Sequence, residues 1–114
     1  MVQRPRGTRD FGPQEMQRRL AFESLLEEQA RRHGFSRIQT PIFESLDLFT
    51  AKSGPGVVSQ LYAFKDKGER DLTLRPELTA PVMRMVAEEL RNETKPLRLS
   101  YFGRCFRYEE FKKG

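Results

Sequence analysis

Near the end of the sequence Arg107 and Glu109 stand two residues apart in the run FRYE. On an extended strand alternate side chains share a face, so a guanidinium and a carboxylate would point the same way, about 7 Å apart. They can pair with each other. They can also divide one ligand, Arg107 gripping a phosphate with its planar fork and Glu109 accepting a hydrogen bond from an amino group. ATP offers both groups. A second candidate lies in LRPELTAP, residues 74–81, where a strand pattern gives way to a helix pattern. Glu77 and Thr79 sit at the helix start, where side-chain oxygens cap open N–H groups. The same two residues could serve a small ligand, Glu77 binding an ammonium group and Thr79 offering a hydroxyl. Lys112 and Lys113 precede Gly114 in a basic turn that could approach phosphate or simply be solvated.

Other chemistries find little support. The sequence has no GxxxxGK[ST] loop and no GxSxG elbow. His33 is the only histidine, which excludes a His-rich metal site, so no metal ligands are assigned. Cys105 is the only cysteine and can form no internal disulfide; beside Phe106 it reads as a packed strand residue, and a reducing compartment is the default. No apolar run approaches the ~18 residues of a membrane span. The net charge of +5, with 32% charged residues, suits a polyanionic partner as well as a solvated surface.

The elements that must position these residues follow from spacing. Pro13 suits a first helical residue, and Gly34 a position just past a helix end. Between them PQEMQRRLAFESLLEEQARRH predicts one long helix, with Met16, Leu20, Phe22, Leu25, Leu26 and Ala30 as an apolar stripe. FSRIQTPIFE predicts a strand interrupted by Pro41, which should sit at an edge, a bulge or an interface because it cannot donate to a ladder. Residues 45–52 predict a short helix and SGPGV a loop. LYAFKDKGERDLTLR predicts a hairpin turning at residues 66–69. PELTAPVMRMVAEELRN predicts a helix with Pro81 in its first turn, and LRLSYFGRCFRYEE one long strand. The sum is an α+β chain with a mainly antiparallel sheet flanked by helices.

Four of these stretches, in order, resemble one family. RGTRDFGP, GFSRIQTPIFE, LRPELTAP and FGRCFRYEEFKKG are similar to the start, motif 1, the histidine-binding stretch and the first half of motif 2 of the histidyl-tRNA synthetases, which are class II aminoacyl-tRNA synthetases. The resemblance implies that Arg107 contacts the α-phosphate of ATP and the amino-acid carboxylate, and that Glu109 faces the adenine amino group. It implies that Glu77 and Thr79 hold the α-amino group of histidine, and that residues 110–114 approach ATP and the acceptor end of tRNA(His). Mg²⁺ is expected on the phosphates, and a cytoplasmic homodimer is expected, with Pro41 and the long helix near its two-fold axis. Many members have Gly where Leu78 stands, so Leu78 with Pro81 points to another branch, such as the archaeal one.

The same resemblance makes residues 1–114 a truncated N-terminal portion of a catalytic domain, ending inside motif 2 and expected to be inactive alone. The rival expectation is a non-ligase paralogue, the histidine-sensing regulatory subunit of ATP phosphoribosyltransferase. The intact FRYE run followed by a basic turn favours ATP use, and hence the ligase.

Overall fold

A computed structural model describes residues 1–108, which fall into two units. The first comprises residues 1–37 and 98–100. Its main element is helix α1, Pro13–Arg32, with Pro13 in the first turn and the Met16 N–H donating to Gly12 O at 2.9 Å. The helix stops at Gly34, whose φ of +84° is the left-handed conformation that glycine adopts without steric cost. The Gly34 N–H donates to Arg31 O and the Phe35 N–H to Ala30 O, closing a Schellman motif. Strand β1, Ser36–Arg37, follows and pairs in parallel with β5, Leu99–Ser100. Arg37 turns back to α1, 3.1 Å from Glu23 and 3.2 Å from Glu27.

The predicted apolar stripe of α1 does not form. At 100° per residue, Leu20 and Leu25 are roughly 140° apart around the axis. The apolar residues therefore wind round the helix, and none of its residues is buried. Leu20, Phe22, Leu25 and Leu26 are all exposed.

The second unit comprises residues 38–97 and 101 onward. Strands β2 (Phe43–Ser45), β3 (Ala63–Lys65) and β4 (Asp71–Leu74) form an antiparallel sheet in the order β2-β4-β3. Glu44 and Ala63 both register with Thr73, which puts these three residues on one face. Thr73 is fully buried, and Arg84 of helix α3 (Thr79–Glu89) reaches this face to pair with Glu44. Phe43 and Phe64 share the other face, edge to face at 6.2 Å, and both are half exposed. The hairpin turns where expected: Asp66 Oδ1 accepts the N–H groups of Gly68 and Arg70, an Asx-type turn. Helix α2, Asp47–Ser53, buries Phe49.

Three expectations are corrected. The FSRIQTPIFE run is two short strands in different sheets, with an exposed Pro41 in the gap between them. The SGPGV loop is largely a 3-10 helix, Pro55–Gln60, because Pro55 presets its first turn. The long final strand is only the two residues of β5, and that pairing is parallel. Residues 101–108 run on outside any ladder, although the Phe106 N–H donates to Arg75 O and the Tyr108 N–H to Gln60 O. Those two bonds alternate as in a strand, without the continuous partner a ladder needs.

Candidate functional site

The site is built where β4 ends and α3 begins. Glu77, two residues before the start of α3, turns its carboxylate to the open helix end. Oε2 accepts the Thr79 N–H, and both oxygens accept the Ala80 N–H at 3.1 Å. This is the capping role read from sequence, and it also fixes the carboxylate in place. A carboxylate has about four acceptor positions, so capping leaves capacity for a cation. The positive end of the helix dipole also attracts a negative side chain at this position.

Arg107 approaches from the extended segment. Its Nε donates to Pro76 O at 2.9 Å, one residue from Glu77. Arg107 and Glu77 line one cavity of about 200 Å³, together with Phe49, Gln60, Leu61 and Pro76 among others. Its lining thus includes an arginine and a glutamate together with the apolar residues Phe49, Leu61 and Pro76. That combination complements a zwitterion of amino-acid size: its carboxylate fits the fork of Arg107 and its ammonium group fits Glu77.

The other candidates are distributed differently. Thr79 is exposed at the first turn of α3 and is not among the cavity-lining residues. Pro41 is exposed, and its carbonyl accepts from Arg75 Nη1 at 3.3 Å. Glu109 and the Lys112–Lys113 turn lie outside the described residues. Cys105, expected to be packed, is exposed, because the segment around it is not sandwiched in a sheet. Arg75 escaped the sequence reading, although it is 5% exposed and bonded to two distant segments. The signal was present: Arg75 is two residues after Thr73, on the buried face of β4.

The same architecture occurs in solved synthetases. The chain superposes on apo S. aureus histidyl-tRNA synthetase with a TM-score of 0.83 and 40% identity, covering 95% of this chain and 30% of that one. It matches a Bacillus halodurans C protein described as an ATP phosphoribosyltransferase regulatory subunit/histidyl-tRNA synthetase with a TM-score of 0.84 and 28% identity, covering 96% of this chain and 29% of that one. The fold is thus that of a class II aminoacyl-tRNA synthetase catalytic domain. Within that class, a family profile for histidyl-tRNA synthetase matches residues 7–113. The histidine–tRNA ligase of Methanosarcina acetivorans is 59% identical over 99% of this chain and 27% of its own length. That of Methanosphaerula palustris is 57% identical over 100% of this chain and 28% of its own. This chain belongs to the histidyl-tRNA synthetase family, and these two archaeal ligases are both more than half identical to it. It spans about 28% of the length of the curated relatives it matches.

Proposed function

We propose that the protein carrying this chain is a histidine–tRNA ligase. The observation that carries the reading is the shared cavity of Arg107 and Glu77, which offers a cation and an anion to an amino-acid zwitterion. In this reading Glu77 holds the α-amino group of histidine, with Thr79 beside it. Arg107 draws the histidine carboxylate and the α-phosphate of ATP together, and Glu109 faces the adenine amino group. The carboxylate oxygen attacks the α-phosphorus in line and pyrophosphate leaves, giving histidyl-adenylate. The terminal ribose hydroxyl of tRNA(His) then takes the histidyl group and releases AMP. Mg²⁺ arrives on the phosphates as part of the nucleotide substrate.

The chain's own residues position reactants and offset charge, and they form no bond to them. Arg107 suits that task because its charge is permanent and its donors are planar. The reading also includes a cytoplasmic homodimer. The exposed apolar side chains of α1 support it, since such surface usually finds a partner. No described helix is long and apolar enough to cross a membrane. A monomeric mass by light scattering of the full-length protein at micromolar concentration would contradict the dimer.

The experiment is histidine-dependent ATP–pyrophosphate exchange by the full-length protein. Arg107→Lys should keep a cation but lose the fork, lowering kcat by about 10²-fold or more. Histidine binding without exchange in the unsubstituted protein would favour the regulatory reading instead. The fold does not separate the two, with TM-scores of 0.83 and 0.84; identity to the archaeal ligases favours catalysis.

A further inference from the structure

We propose that Arg75 is a positioning residue, a buried clamp that sets the spacing between Arg107 and Glu77; this deepens the ligase reading and rests on it for the meaning of that spacing. Arg75 is 5% exposed at the end of β4. A buried guanidinium is strongly unfavourable unless its donors are satisfied. Here Nε and Nη1 are met by oxygens of two remote segments. Nε donates to Arg104 O at 2.8 Å. Nη1 donates to Thr40 O at 3.2 Å and Pro41 O at 3.3 Å, with Thr40 Oγ1 at 3.4 Å. Among the described residues no carboxylate forms an ion pair with it. Its backbone joins the same segments, since the Arg75 N–H donates to Ile42 O and Arg75 O accepts the Phe106 N–H, each at 2.9 Å. One residue thus binds 40–42 on one side and 104–106 on the other.

The active residues lie immediately beyond these ties. Glu77 is two residues after Arg75, and Arg107 is three after Arg104. A side chain with a single ammonium could not span both sets of carbonyls, whereas a rigid fork with separated Nε and Nη1 can. The neighbouring glycine points the same way. A Cβ on Gly103 would fall 2.3 Å from Arg75 Nη2 and 3.0 Å from Cζ, with Leu78 Cδ2 at 3.2 Å. Elsewhere the tip of an arginine could swing aside. This one is held by its bonds to Arg104, Thr40 and Pro41, so a side chain at 103 must displace either the clamp or the segment that carries Arg107. Gly103 is required by close approach.

The test uses the full-length protein with Arg75→Lys and Gly103→Ala, assayed well below their unfolding temperatures. Each should lower kcat for histidine-dependent ATP–pyrophosphate exchange by about 10²-fold, the cost of a displacement near 1 Å. The double variant should fall no further than the worse single one, because both break the same clamp. Thr73→Ala, on the same buried face, is the control and should lower Tm while leaving kcat within about threefold. Either kcat retained in Arg75→Lys, or losses that track Tm and match the control, would overturn the proposal. Amide exchange supplies a readout independent of catalysis. The Phe106 amide should exchange faster in Arg75→Lys, and an unchanged rate overturns the clamp. If the unsubstituted protein shows no histidine-dependent exchange, the ligase reading falls, and amide exchange still decides whether the clamp exists.

Discussion

Two arginines are drawn into the second unit, and their surroundings differ in kind. Arg84 on α3 meets carboxylates: Nη2 donates to Glu44 Oε1 at 3.0 Å, and Nη1 to Glu88 Oε2 at 2.6 Å. Its Nε lies 2.9 Å from Glu44 Oε2 as an ion-pair contact rather than a hydrogen bond. Among the described residues Arg75 meets only neutral oxygens, and those come from segments 29 to 35 residues away. The first arrangement neutralises a charge and fastens one helix to one strand. The second has no ion-pair partner among the described residues and uses the geometry of the fork to hold two remote segments at the end of β4. Stability and site geometry are thereby divided between different residues, and substitutions can separate them.

The largest expected stability effect is at the ion pair. Glu44 is 7% exposed, while the side chain of Arg84 keeps 29% of its exposure. The Glu44 carboxylate beside Arg84 holds the guanidinium above its ordinary pKa. Glu44→Gln would leave a half-buried cation without the more buried of its two carboxylate partners. Breaking a fully buried pair costs about 3–5 kcal/mol, and the residual exposure lowers this to about 2 kcal/mol. Thermal unfolding of the full-length protein would check it, and kcat per folded molecule should be unchanged. Glu44→Leu with Arg84→Met should recover most of the loss, since a matched apolar pair avoids the desolvation term. A large fall in kcat in Glu44→Gln would erase the contrast with Arg75.

A smaller effect is expected at Thr73, which is fully buried and whose Oγ1 donates to Leu74 O at 2.9 Å. Thr73→Ala removes a methyl and a satisfied hydroxyl from the buried face of β4, at a cost of about 1 kcal/mol. If it lowered kcat as Arg75→Lys should, the whole buried face of β4 would be acting on the site, and the division of labour would blur.

What could be read from the sequence was local. Pro13 and Gly34 bracket α1 because each acts through its own backbone restriction. Asp66 and Gly68 mark the hairpin through bonds four residues long or shorter. Glu77 could be assigned a cap, and a ligand role, from its place before a helix. What could not be read was long-range. Nothing near Arg75 in the sequence reveals that its acceptors are Thr40, Pro41 and Arg104. The extended character of residues 98–108 was legible, but its partners were not, so a single strand was expected where a two-residue parallel pair and a lone segment stand. The apolar residues of α1 look like a core stripe until their angles are drawn, and none of them is buried among the described residues.

The smallest expected effect is electrostatic and sharpens the comparison from the solvent side. Asp66 at the hairpin turn is tied by the backbone N–H of Arg70, by that residue's Nε at 2.7 Å and by the Gly68 N–H. The bond from the Arg70 N–H leads in holding its carboxyl below the ordinary aspartate value. A group whose folded-state pKa is depressed contributes stability that is present above its unfolded value, about 3.9, and is lost as pH falls through the lower folded value. The turn should therefore keep its support at pH 7 and give it up only in the acid limb of the unfolding profile. Asp66→Asn keeps the acceptor oxygen but removes the titration, so it should flatten that limb while changing Tm little at neutral pH. Because the turn is open to solvent, added salt should weaken what remains of the Asp66–Arg70 attraction. It should leave the Arg75 contacts nearly untouched, since those bonds are to neutral carbonyls in a buried site. A salt-sensitive Phe106 amide exchange rate, together with a salt-insensitive acid limb, would reverse the assignment of these two regions.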